Sequence, residues 1–293
     1  MKQAFAPRDI ALAVLVAAVW GFNFVVIKWG VAEVPPLLLT GLRFLFTAVP
    51  ALFFVGRPTS RIVFLVAYGF LLGVMQFGFL FVSMHMGMSA SLASVVLQLQ
   101  AFFTIGLAML VLHERISLFQ IIGAAIALAG IAAIAVEHWQ QVALMPLVLC
   151  VCAALGWGSA NVVARRSGEQ NMLPFVIWTS LVPPLPMFIL SWIFEDHGDI
   201  IRALTMPSHT ALFSLAYLIL ASTILGYGLW NGLIRRYSAS AVAPFSLLVP
   251  VFGIASGTVL MGDHLSLMVR VGVALVFAGL GINVFGPRLM SRH

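Results

Sequence analysis

Two stretches of this chain are copies of each other. Tyr68 to Ile131 answers Tyr217 to Leu280 at a constant offset of 149, without a gap. Ser89-Ala90-Ser91 answers Ser238-Ala239-Ser240, Gly123 answers Gly272, and Ala129-Gly130 answers Ala278-Gly279. Upstream the offset becomes 137, and Trp20-Gly21 and Lys28 answer Trp157-Gly158 and Arg165. Each copy holds an odd number of apolar segments. In a bilayer, an odd duplication places the second copy upside down, and inverted repeats are an architecture of alternating-access transporters.

The bilayer itself follows from composition. The chain is 62% hydrophobic and 8% charged, with a mean hydropathy of +1.10. A soluble protein of 293 residues needs far more surface charge. About 20 apolar residues cross a membrane as a helix. Ten such segments are predicted, at roughly 10–29, 37–55, 62–84, 92–112, 118–137, 144–164, 173–194, 211–232, 240–261 and 267–287. The expected fold is therefore all-α and integral to the membrane: ten helices in two inverted five-helix repeats, 1–140 and 141–293, forming one membrane domain. Lys2 and Arg8 precede an apolar run as in a signal peptide, but no small-residue cleavage site follows, which predicts a retained first helix. Cys150 and Cys152 diverge on one helix and read as packing residues. No connection is long enough for an ATP-hydrolysing module, and no phosphate-binding Gly-rich loop is present, so no nucleotide or other cofactor is expected.

The net charge of +6 does not indicate nucleic acid, because the cations stand singly at segment ends. They fix orientation instead. One set of ends carries Lys2, Arg8, Arg57, Arg61, Arg115, Arg165, Arg166, Arg235, Arg236, Arg288 and Arg292; the other carries Lys28, Arg202 and Arg270 with Glu33, Glu137, Glu195, Asp196, Asp199 and Asp263. Both termini are predicted to be cytoplasmic.

Polar groups inside a membrane are costly and should face a cavity or the bundle interior. Asn23, Lys28, Arg43, Gln76, Gln98 and Gln100 fall toward the periplasmic half. Ser159, Asn161, Thr179, Tyr227, Asn231, Ser246 and Asn283 fall toward the cytoplasmic half. Each repeat begins with a deep tryptophan, Trp20 or Trp157. Trp20 shares a helical face with Asn23, and Trp157 with Asn161; Thr223, Tyr227 and Trp230 form an i, i+4, i+7 stripe. These patterns predict a central polar path, with Trp20, Asn23, Arg43, Gln76 and Gln98 in its outer part. Trp157, Asn161, Trp178, Tyr227, Trp230, Asn231 and Ser246 fall in its inner part. The rival assignment for the tryptophans is core packing, and for Trp178 and Trp230 an interfacial anchor. Gln98 and Gln100 are two residues apart and cannot both point into one cavity from an α-helix; Gln98, aligned with Ser91 and Ser94, is placed on the path. Arg43 is always charged at a depth that demands a partner: either a substrate carboxylate or Glu33 at the mouth. No Asp or Glu occupies the centre of any segment, which argues against a proton-carrying carboxylate. Prolines 183, 184 and 186 are read as a hinge, a cavity element or packing kinks. Small-residue faces on the fifth and tenth segments predict packing surfaces.

Enzyme chemistry has little footing. His113-Glu114 lacks the second histidine of a zinc-protease helix, and Glu195-Asp196-His197-Gly198-Asp199 reads as a solvated acidic loop rather than a metal site. No segment pairs a buried nucleophile with a buried base.

Several stretches carry a family resemblance. Ala18 through Lys28 (AVWGFNFVVIK), Pro35-Pro36, Gly41-Leu42-Arg43-Phe44, Val96 through Thr104 (VLQLQAFFT), Ala243 through Val251 (APFSLLVPV) and Gly281 through Gly286 (GINVFG) resemble ten-helix EamA-type exporters of the drug/metabolite transporter superfamily. The likeness runs over essentially the whole chain. It implies a basket of helices 1–4 and 6–9 around a cavity, braced outside by helices 5 and 10. Smaller four-helix relatives carry a membrane glutamate in their first helix, which this chain lacks, so cation/proton antiport is not carried over. The expectation is a bacterial inner-membrane exporter of amino acids and related metabolites, a monomer without cofactor or metal, working by alternating access. Another metabolite or drug class is the alternative, with an intramembrane enzyme behind it.

Overall fold

A computed structural model of the chain describes residues 6–113, 118–141, 144–237 and 242–290. Side chains at 135, 137–141, 231, 234–235, 243–244 and 283–290 lie outside this description. All regular structure among the described residues is helical. Six helical runs are long and apolar enough to cross a membrane: Pro7–Glu33, Ile62–His85, Ala90–Leu112, Met145–Ser167, Met172–Phe194 and His209–Trp230. Four shorter apolar helices accompany them: Pro36–Ala51, Leu118–Ile134, Phe245–Met261 and Leu267–Ile282. The exterior is apolar, with Phe53 84% and Phe54 88% exposed, as expected of a surface solvated by lipid rather than water.

Where lipid is the solvent, helix association depends on close approach rather than on escape from water. The duplicated glycines supply that approach, and they do so in matched pairs. A Cβ on Gly21 would stand 2.4 Å from Phe252 Cβ and 2.7 Å from Val249 O. On Gly158, its counterpart in the repeat, a Cβ would stand 2.7 Å from Phe103 Cβ and 3.1 Å from Gln100 O. Phe103 and Gln100 are themselves the counterparts of Phe252 and Val249. The helix that carries each of these tryptophan-glycine pairs thus crosses the fourth helix of the opposite copy in the same way. The helices Leu118–Gln141 and Leu267–Met290 cross on glycine too: a Cβ on Gly130 would meet Gly272 O at 2.5 Å, and one on Gly279 would meet Gly123 O at 2.4 Å. Gly123 and Gly130 answer Gly272 and Gly279, so these contacts exchange as a two-fold rotation would exchange them.

The backbone departs from α-helix at matched places. Phe70–Gly78 and Tyr217–Leu225 are π-helical. Leu97–Leu99 and Ala243–Leu247 are 3₁₀. In each repeat the third helix is widened and the fourth is tightened. Such irregularities at membrane depth persist where neighbours or a cavity satisfy the displaced backbone groups.

The seventh segment is broken. Helix Met172–Thr179 ends in a turn, and Pro184–Phe194 resumes with Pro184 in its first turn. A Cβ on Gly73, in the first π-helix, would lie 1.9 Å from the Pro183 ring. Of the roles open to this proline cluster, Pro183 takes packing: it seats against the widened turn.

The acidic stretch 195–199 departs from the expected solvated loop. Glu195 accepts from Leu37 N at 2.6 Å and Leu38 N at 3.1 Å, capping the helix Pro36–Ala51. Asp196 accepts from Asp199 N at 3.0 Å and starts a surface helix, His197–Thr205. His113 ends its helix in the left-handed region at φ 55°, while Glu114 lies outside the described residues.

Candidate functional site

The third and fourth helices of both repeats turn their irregular segments toward a common cavity of about 730 Å³. Gln76 comes from the first π-helix and Ser222 from the second; Gln98 and Ser246 come from the two 3₁₀ segments. Trp20 and Asn23 enter from the first helix, Arg43 from the second, and Trp157 and Asn161 from the sixth. Tyr227 and Trp230 complete one wall. Of the residues expected in the outer and inner parts of the path, Trp20, Asn23, Arg43, Gln76, Gln98, Trp157, Asn161, Tyr227, Trp230 and Ser246 therefore share one space.

Trp20 anchors the aromatic wall. Its Nε1 donates to Ser222 O at 3.0 Å, a carbonyl of the π-helix, and its ring lies 5.4 Å from Tyr227 and 5.2 Å from Trp230. A Cβ on Gly226 would come within 2.5 Å of Trp20 Nε1, so this position must stay bare for the indole to reach its carbonyl.

Arg43 is 2% exposed. Its guanidinium carbon lies 3.9 Å from the Phe77 ring centroid and 5.5 Å from that of Phe44. Nη2 donates to Thr223 Oγ1 at 3.2 Å, and that hydroxyl donates its own hydrogen to Leu218 O at 2.8 Å. Nε and Nη1 have no hydrogen-bond partner among the described residues, and neither does Asn23 Oδ1. Glu33, the candidate partner at the mouth, is exposed and does not meet Arg43.

A second polar cluster stands across the cavity. Asn161 Nδ2 donates to Gln100 Oε1 at 2.8 Å and to Thr104 Oγ1 at 3.1 Å. Gln98 and Gln100 both line the space, which corrects the expectation that only Gln98 would. The reason is local geometry. At the 3₁₀ turn Leu97–Leu99, successive side chains advance by about 120° instead of about 100°, so residues two apart diverge less than on an α-helix.

Trp178 does not join the path. Its Nε1 donates to Gly56 O at 3.1 Å, and the Arg57 guanidinium lies 5.3 Å from its ring centroid, so it takes the anchor role that rivalled the cavity one. Ser159 and Thr179 also stand apart, donating to Leu155 O and Val176 O of their own helices. Asn231 lies on the helix Gly226–Tyr237, but its side chain is outside those described, as is that of Asn283.

The cavity reaches one end of the bundle at Arg165, Glu169 and Met172. Glu169 Oε2 accepts from Thr59 N at 2.7 Å, Thr59 Oγ1 at 3.0 Å and Ser60 N at 3.1 Å; Oε1 accepts from Gln170 N and Asn171 N. Burial pushes this carboxyl up, but the hydrogen bonds from Asn171, Ser60 and Thr59 outweigh it and hold it below its ordinary value. At the same end Asp9 accepts from Arg236 Nη1 and the Tyr237 hydroxyl, each at 2.6 Å. The opposite end carries a set of bonds between residues that do not line the cavity. Lys28 Nζ donates to Met84 O at 2.6 Å and Met88 O at 3.1 Å, Asp263 Oδ2 accepts from Ser91 N at 3.0 Å, and Met84 and Met88 are buried.

Tyr68 and Glu169 line this site without having been placed on the path from the sequence, whereas Gln100 had been weighed there and set aside. Tyr68 stood in plain view at the start of the duplicated stretch, and its recurrence as Tyr217 was the available signal. Glu169 gave none, since the partners that tie it to the bundle, Ser60 and Thr59, are 109 and 110 residues away.

Comparison with known proteins agrees with this architecture. The sequence profile of the EamA-like transporter family matches residues 8–136 and again 144–285. The chain is 44% identical to a "Probable amino-acid metabolite efflux pump" of Salmonella typhimurium over 288 residues, covering 96% of each chain. A protein of the same description from Escherichia coli (strain K12) is 42% identical over 287 residues, again covering 96% of each. An uncharacterized transporter of Archaeoglobus fulgidus is 26% identical, with 92% of this chain and 96% of that one covered. A solved crystal structure superposes with a TM-score of 0.63 over 94% of this chain and 96% of that one at 18% identity, a likeness of fold alone.

Proposed function

The chain belongs to the EamA-like transporter family, and from that premise we propose that it exports amino acids and related small metabolites by alternating access. The observation that carries this reading is the cavity. It is polar at its helix irregularities, aromatic and apolar on its walls, and reaches one end of the bundle. The efflux-pump description of the two relatives above supports amino-acid metabolites as the cargo.

The ten apolar helices are read as ten spans, five in each of two inverted repeats, 1–140 and 141–293. The matched glycine crossings and matched helix irregularities support this reading. Positive charge clusters at the end where the cavity opens, through Arg57, Arg165 and Arg236, which argues for a cytoplasm-facing mouth and cytoplasmic termini in a bacterial inner membrane. The chain works as a monomer, since both repeats are fused. Arg43 and the amides of Asn23, Gln76, Gln98 and Asn161 bind the backbone groups of the cargo, with Ser246 beside them; Trp20, Trp157, Tyr227 and Trp230 accept varied side chains. With no carboxylate deep in the path among the described residues, transport is read as exchange or facilitated diffusion rather than as proton-coupled.

The test is counterflow in proteoliposomes with a panel of labelled amino acids, with and without an imposed pH gradient. Saturable exchange of several neutral amino acids, indifferent to the gradient, is expected. Absence of any amino-acid signal from folded protein overturns the cargo assignment, and stimulation by the gradient overturns the uncoupled mechanism.

A further inference from the structure

We infer that the carboxylate is the obligatory group of the cargo and the α-ammonium is not, so that N-acylated amino acids, which are monoanions, use the same site as amino acids. The inference rests on the exporter reading above.

The deep end of the cavity is unbalanced in charge. Arg43 places one positive charge there, 2% exposed, and two of its nitrogens, Nε and Nη1, make no hydrogen bond. A buried guanidinium with donors to spare is stabilised by an anion, and a planar carboxylate matches its fork. The one carboxylate among the described cavity residues, Glu169, stands at the mouth with both oxygens already occupied by backbone N–H groups and the Thr59 hydroxyl. Among the described residues, nothing negative is therefore left near Arg43 to receive a cationic group.

What the deep end offers to nitrogen is a neutral acceptor. Asn23 Oδ1 is buried and has no partner. Asn23 lies one helical turn beyond Trp20, whose indole bonds Ser222 O; Arg43 bonds the next residue, Thr223. Both free functions thus belong to side chains that line one cavity, Arg43 bonded to the second π-helix and Asn23 one turn along from the tryptophan that bonds it. An acyl amide brings one N–H and no charge, which one carbonyl oxygen satisfies. An ammonium brings three N–H groups and a full charge, and its desolvation there is opposed by Arg43 rather than offset. Phe24, Leu97 and Val249 line the same space and suit an aliphatic side chain, so the leucine series is the natural probe.

The experiment is counterflow by the full chain in liposomes with labelled leucine, N-acetylleucine and leucinamide. The expected result is exchange of N-acetylleucine at least as fast as leucine. Leucinamide, which leaves the guanidinium unpaired, should be at least about tenfold slower. Exchange of leucine with refusal of N-acetylleucine overturns this inference and leaves amino-acid export standing. Exchange of leucinamide at the rate of leucine overturns it as well, by removing the need for a carboxylate. Exchange of N-acetylleucine without leucine supports it and overturns the free amino acid as cargo. Failure of all three overturns both readings. Arg43→Gln should abolish N-acetylleucine exchange, and Arg43→Lys should retain part of it. A binding measurement on the wild-type chain guards against misfolded variants: N-acetylleucine should raise its melting temperature in detergent and leucinamide should not, and equal shifts overturn the inference.

Discussion

Arg43 and Thr223, 180 residues apart, meet through a 3.2 Å hydrogen bond in which the hydroxyl can only accept, because its own hydrogen is held by Leu218 O. The acceptor sits in the second π-helix, where the carbonyl of the preceding Ser222 is turned toward Trp20. One widened turn of the second repeat thereby positions an arginine and a tryptophan of the first.

Replacing Thr223 by valine keeps the branched shape and removes the acceptor. The third guanidinium nitrogen, Nη2, is then left without its partner as well, at a cost of about 1–3 kcal/mol. A lower melting temperature in detergent is expected, and wild-type melting would show that this bond contributes nothing to stability.

Lys28 ties the end opposite the mouth through two charge-assisted hydrogen bonds to Met84 O and Met88 O. With Lys28→Met, that end should open more often, by about tenfold or more. The check is maleimide labelling of Met88→Cys from the face opposite the mouth, in a background lacking Cys150 and Cys152. Unchanged labelling would show that Lys28 does not hold that end.

The crossing of the fifth and last helices tolerates no side chain at Gly130, where a Cβ would stand 2.5 Å from Gly272 O. Gly130→Leu should destabilise the fold by about 1–3 kcal/mol through overpacking. Gly106→Ala is the control, since nothing lies within 4 Å of a Cβ there. Equal melting of the two variants would contradict the close crossing.

Glu169 predicts a pH dependence. Its folded value is depressed by hydrogen bonds, so its contribution is complete above its unfolded value of about 4.3 and fades as pH falls below that, through the folded value. The melting difference between wild type and Glu169→Gln should therefore be flat from pH 8 to about pH 5 and should shrink only in more acidic buffer. A difference that closes near neutral pH would refute the clamp.

The sequence by itself determined the membrane class, the apolar segments and the duplication, because hydropathy and internal likeness are properties of contiguous residues. It also marked Arg43, since a guanidinium at that depth has no inexpensive alternative to a cavity. The glycines after Trp20 and Trp157 were visible as a repeated pattern, yet only the tertiary structure tied them to the crossings on Phe252 and Phe103. Tertiary structure alone decided that Gln100 enters the cavity beside Gln98, that Trp178 turns to Gly56, and that Glu169 and Glu195 cap distant segments. The physical reason is common to all of these. Whether a turn of helix is α, 3₁₀ or π, and which remote N–H a carboxylate meets, depends on what packs beside it, and those neighbours are remote in the chain: 61 residues away for Gln100 and more than a hundred for Trp178, Glu169 and Glu195.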